Sequence, residues 1–158
     1  MLVKREHNGI KMVLNNQEIY FDIESPYKDK INFFTELNKF ENVDKIFSLP
    51  GEYEIENIHF QVFSSNKNLV IVGFFSGVKF IYLKEDLKEE NIKNIYQNFG
   101  DIDIIILNGR VDNLKEIKNK FNSIILIDNG DKNNLKAEKV KEVKINIKKL
   151  EEKYFALV

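Results

Sequence analysis

Apolar and polar residues alternate through the first third of the chain, and the period then changes twice. Val3 to Glu6, Ile10 to Leu14 and Glu18 to Ile23 read as short strands with Asn15-Asn16 as a hairpin turn, because residues two apart share one face of a strand. From Lys28 to Phe40 the apolar residues Ile31, Phe34, Leu37 and Phe40 fall at intervals of three, which predicts a short amphipathic helix or helical loop. Val43 to Ser48 reads as a strand stopped by Pro50-Gly51, and Tyr53, Ile55, Ile58, Phe60 and Val62 alternate around a break at Asn57. Leu69 to Phe75 and Val78 to Leu83 flank Ser76-Gly77. That is a hairpin whose glycine can take the positive φ of a tight turn.

Beyond Leu83 the period approaches four. Leu87, Ile92, Ile95, Tyr96 and Phe99 line one face of a predicted helix that Gly100 ends, with Asp86 placed as its cap and Glu89 in capping-box register. Ile102 to Leu107 and Ser123 to Ile127 are near-continuous aliphatic runs, as in strands buried on both faces, and a helix carrying Val111, Leu114, Ile117 and Phe121 separates them. The pattern is a βαβ crossover. A polar stretch from Asp128 to Glu138 leads to a last strand pair near Val143 to Ile147 and Tyr154 to Val158. A chain of 158 residues with two prolines and no Gly/Ser linker is read as one domain, 1–158.

Composition narrows the function classes. No cysteine is present, so disulfides, thiolate nucleophiles and Cys-based metal sites are excluded. The longest apolar runs fall well short of the ~20 residues of a membrane span, and the opening MLVKREHNGIK lacks the apolar core of a signal peptide. The expected location is the cytoplasm, with no membrane partner. A net charge of -1 supplies no field to gather nucleic acid. Only Arg5 and Arg110 are arginines, which counts mildly against phosphate recognition in general.

Several blocks in this order resemble the metallo-β-lactamase fold, in particular its small zinc-dependent hydrolase-like branch. They are SLPGEYEI from Ser48, KNLVIVGFFSGVKFIYLKEDL, GDIDIIIL from Gly100 and SIILI from Ser123. The family turn motif corresponds to Pro50, Gly51, Glu52 and Tyr53. The resemblance places His7 at the family's GHSSF-like turn, Asp22 at an aspartate-bearing strand end, Asp86 after the hairpin and Gly130 where the family has a late histidine. The HxHxDH loop that supplies most of the family's metal ligands has no counterpart, since no histidine lies between Asp22 and Ser48. The resemblance implies a shortened αββα sandwich of the α/β (α+β) class whose catalytic positions are vestigial.

Zinc needs three or four ligands drawn from His, Cys and carboxylate, and the nitrogen and sulfur supply is His7 and His59 alone. His59 alternates with Ile58 and Phe60 and is expected on a solvated strand face. Glu52, Glu54 and Glu56, spaced by two, read as one solvated row. No GxSxG elbow, phosphate loop or dinucleotide fingerprint occurs. Lysines from Lys132 to Lys153 are interspersed with Glu138, Glu142, Glu151 and Glu152, which favours a solvated surface over a nucleic-acid one. The expectation is therefore a non-catalytic binding, assembly or regulatory module without metal or cofactor, acting as a homodimer or with a protein partner. The alternatives are a hydrolase with a weak metal site built on His7, Asp22 and Asp86, and a nucleic-acid-binding module.

Overall fold

The computed structural model describes residues 1–41 and 44–158. The alternating first third forms a meander of β1 (Leu2–Glu6), β2 (Gly9–Leu14) and β3 (Gln17–Phe21). Asn15 and Asn16 between the last two take φ of 47° and 63°, the left-handed backbone that a two-residue hairpin needs.

The predicted helix from Lys28 to Phe40 is absent, and a short strand, β4 (Ile31–Phe33), followed by turns takes its place. Ile31 and Phe33 face the main core, whereas Phe34 packs on the opposite side with Tyr20 and Ile23. Leu37 stands 48% exposed. The interval of three thus marks three different environments. The Asn32 amide also accepts from the Tyr27 N–H and donates to the Tyr27 and Lys30 carbonyls, a local arrangement that competes with helix. Of the strand expected over Val43–Ser48, Val43 lies outside the described residues, and β5 (Ile46–Phe47) is the part observed.

The second half follows the pattern closely. It contains β6 (Gly51–Ile55), β7 (Ile58–Ser64), β8 (Leu69–Phe75), β9 (Val78–Leu83), α1 (Glu89–Phe99), β10 (Ile104–Leu107), α2 (Leu114–Phe121) and β11 (Ile125–Asn129). The expected βαβ crossover is present as β10 and β11 in parallel register. The expected terminal strand pair is not a pair. β14 (Lys153–Leu157) pairs with β11 and β12 (Glu138–Val140) pairs with β14, while β13 (Glu142–Lys144) crosses to β1.

Two mixed sheets result, ordered β13-β1-β2-β3-β4-β5 and β12-β14-β11-β10-β9-β8-β7-β6. Their facing sides bury one core, in which Phe21 stacks on Tyr82 at 4.7 Å and Phe33 meets Phe60 at 4.6 Å. Such cross-sheet aromatic pairs contribute about 0.5–1.5 kcal/mol beyond their burial. Alternate residues of β8 to β11, among them Val72, Ile81, Ile105 and Leu126, form a second core on the outer face of the larger sheet, covered by Ile92 and Ile95 of α1 and Ile117 and Phe121 of α2. Both described helices therefore lie on one side. The outer face of the smaller sheet is covered instead by Phe34, Phe40 and Ile46 over Tyr20 and Ile23.

Candidate functional site

The exits of β3, β9, β10 and β11 meet at one edge of the sandwich and carry polar side chains into a core that is otherwise apolar. The aliphatic runs of β10 and β11 both lead to Asn-Gly, directly at Leu107-Asn108-Gly109 and with Asp128 intervening at Asp128-Asn129-Gly130. Asn108 and Asn129 continue the inward alternation of Ile104, Ile106, Ile125 and Ile127. Both are buried, at 4% and 2% exposure. Two glycines let the backbone close around them. A Cβ on Gly9 would lie 2.0 Å from the Phe21 carbonyl oxygen, and one on Gly109 would lie 2.1 Å from that of Lys84.

These residues form a hydrogen-bonded chain across the two sheets. Asp22, at φ 49° just past β3, accepts the Thr35 N–H and the Thr35 hydroxyl, each at 2.8 Å, and the Tyr82 hydroxyl at 3.0 Å. The Asn108 side chain neighbours the Tyr82 hydroxyl and acts on it to lower its pKa, against the larger effects of burial and Asp22. Asn129 donates to Asn108 Oδ1 at 2.7 Å and to the Gly9 carbonyl at 3.3 Å. Burial and the neighbouring Asp22 carboxylate push the Tyr82 phenol well above its ordinary range, so it stays a neutral donor. Lys84 Nζ stands 4.0 Å from Asp22 Oδ2 on the solvent side. Asn129 Oδ1 is buried and lacks a partner.

The four positions suggested by the resemblance do not assemble into one site. Asp22 is within the network and Gly130, at φ 86°, adjoins it through Asn129. His7 occupies the β1–β2 turn with a side chain 62% exposed, 4.0 Å from Glu6. Asp86 is not the cap of α1, whose N-terminal residue Lys88 supplies no side-chain cap. Its Oδ1 instead accepts the N–H groups of Asp112 and Asn113 at the entry to α2, because the α1 and α2 loops leave neighbouring strands and meet. Tyr53 of the turn motif fixes that turn, donating to the Leu49 carbonyl at 2.8 Å. His59 is a surface residue beside Glu54 at 3.2 Å. Sequence reasoning passed over Thr35, Tyr82, Asn108 and Asn129, although the repeated Asn-Gly after two aliphatic strands was visible.

Among the described residues, no three of His, Cys, Asp and Glu gather closely enough to hold a metal ion. The donors at the strand exits are amides, a neutral phenol and one carboxylate that already accepts three hydrogen bonds. This set does not fit the zinc of the hydrolases that the sequence resembles.

A solved structure with this architecture exists. It is a candidate Zn-dependent hydrolase of the metallo-β-lactamase superfamily from Thermotoga maritima, similar at a TM-score of 0.73 and 16% identity, over 99% of this chain and 98% of that one. The chain has the metallo-β-lactamase fold. No family model matches it, and no curated protein does. The fold thus agrees with the resemblance read from the sequence over nearly the full length of both chains. No described helix is long and apolar enough to cross a membrane.

Proposed function

We propose that this chain is a non-catalytic protein of the metallo-β-lactamase fold, a binding or regulatory module. The observation that carries the reading is the network Asp22–Tyr82–Asn108–Asn129. Asp22, a position the resemblance singles out, and Asn129, which precedes the position Gly130 that it also singles out, are linked through neutral side chains. The segment where the hydrolases carry HxHxDH supplies Thr35, which takes up Asp22. Hydrogen bonds here fill the cross-linking part that a bound ion would otherwise play. The neighbour is itself a candidate Zn-dependent hydrolase, which keeps a metal-dependent hydrolase as the alternative, although His7, Asp22 and Asp86 do not come together.

Thermal melts with zinc, manganese and chelator distinguish the two. A ligand at a hundredfold excess over its Kd stabilises the native state by ~2.7 kcal/mol, which moves the melt of a domain this size by several degrees. The expected result is no shift. A gain of several degrees that is lost in both His7→Ala and Asp86→Asn would establish the metal-dependent alternative.

A further inference from the structure

On the outer face of the larger sheet a cavity of about 370 Å³ opens between α2 and the loop that follows β11. Its volume is in the range of small-molecule pockets. The wall is apolar and aromatic, made by Leu114, Leu126, Leu135 and Tyr154. The rim carries four cations, Arg110, Lys115, Lys118 and Lys132, against the single carboxylate Asp112. Lys115 and Lys118 are three apart on α2 and so share a flank, and Lys118 Nζ sits 5.7 Å from the centre of the Tyr154 ring.

The cavity is held open by its own frame. Asn133 accepts the Val111 N–H at 2.8 Å and donates to the Gly109 carbonyl at 2.9 Å, which joins the β10–α2 loop to the loop after β11. Below it the buried Asp128 carboxylate receives the Asn133 N–H at 2.7 Å and its amide at 3.0 Å. Asp128 is thus engaged behind the wall, Glu152 is bound to the Tyr154 hydroxyl at 2.9 Å, and Asp112 is held by Arg110 at 2.7 Å. The lysines face the opening with a surplus of positive charge.

We propose that this cavity binds a small organic monophosphate that carries a flat ring, with nucleoside monophosphates as the simplest representatives. The ring lies on the Leu114, Leu126, Leu135 and Tyr154 wall, since aromatic and aliphatic faces accept a planar group with little loss of freedom. The phosphate meets Lys115, Lys118 and Lys132 at the rim, where charge-assisted bonds to phosphate form. None of the lining residues belongs to the Asp22 network, so the proposal stands or falls independently of the non-catalytic reading.

Calorimetric titration of the full chain at low salt tests it, with AMP, adenosine, inorganic phosphate and single-stranded oligothymidylate as probes. AMP is expected to bind saturably with a Kd of about 1 mM or tighter, and adenosine and phosphate each at least about tenfold more weakly. Lys118→Ala and Lys132→Ala are expected to weaken AMP about tenfold each without changing the melt, while Lys141→Ala, outside the cavity, leaves it unchanged. Equal affinity for AMP and inorganic phosphate, no saturable AMP binding, or equal weakening by Lys141→Ala overturns the proposal. Preference for the oligonucleotide over AMP with a steep salt dependence also overturns it, in favour of a nucleic-acid surface.

Discussion

Tyr82 holds its hydroxyl between Asp22 and Asn108 in a fully buried position. Tyr82→Phe leaves a buried Asp22 oxygen short of one donor, at a cost of about 1–3 kcal/mol. A melting midpoint roughly 2–12 °C lower is expected, with the fold retained. At Asp22 the positive φ favours Asn over Ala, and asparagine can still accept the Thr35 N–H while the two hydroxyls rotate to accept from its amide. Asp22→Asn is therefore expected to cost less than half of what Asp22→Ala costs in a denaturant melt. Glu18 sets a pH limit of another kind. Ion pairs with Lys11, and with Lys30 at 2.8 Å, lower its carboxyl from the ordinary 4.5 to about 2. A lowered folded-state pKa stabilises above the ordinary value and loses that stability as pH falls through the folded one, so the window runs from about 4.5 down to about 2. Glu18→Gln is expected to flatten the stability curve in that interval and to leave its shape near neutrality unchanged; an acid limb as steep as wild type would contradict the assignment.

At the scale of elements, Asp86 couples two helices' entries rather than capping one. Alongside its bonds to the Asp112 and Asn113 N–H groups, Asn113 Nδ2 donates to the Leu87 carbonyl at 2.7 Å. Asp86→Ala is expected to cost about 1 kcal/mol and Asp86→Asn only tenths, as for side chains that hold helix-entry amides. Hydrogen exchange locates the effect: the amides of residues 112 and 113 lose protection, whereas those of residues 89–92 keep theirs. Elements whose pattern is local were legible in the sequence, as the Ser76-Gly77 hairpin and the aliphatic strands β10 and β11 illustrate. What was not legible depended on partners distant in sequence. Ile31 to Phe40 has helical spacing but lies between β3 and β5, and tertiary pairing overrides a weak periodic signal. Asp86 looks like a cap for the helix that follows because its acceptors' partners, 26 and 27 residues onward, are invisible to a local rule. The network at the strand exits was missed for the same reason. Asn and Tyr are common strand-end residues, and only the convergence of four chain segments makes them a site.

Across the whole molecule, the last strands do not stay together: β13 closes the smaller sheet against β1, with Leu2 opposite Lys144, while β12 and β14 complete the larger one. The Met1 ammonium adds a bond to the Ile145 carbonyl at 3.0 Å. Removal of residues 138–158 is accordingly expected to abolish the cooperative melt, not merely lower it, because both sheets lose strands and the buried Ala156 and Leu157 go with them; a truncated chain with a sharp two-state transition would show that the carboxy-terminal strands are accessory. The same pairing has a temporal meaning. On a ribosome that adds about 5–20 residues per second, β1 emerges long before β13 and waits for it before its outer edge is covered. Until then β1 presents unpaired backbone groups of the kind that recruit other chains. Its side chains are suited to that wait, since Lys4, Arg5 and Glu6 put charge along the uncovered edge, and the nascent chain meets its neighbours with repulsion before β13 arrives.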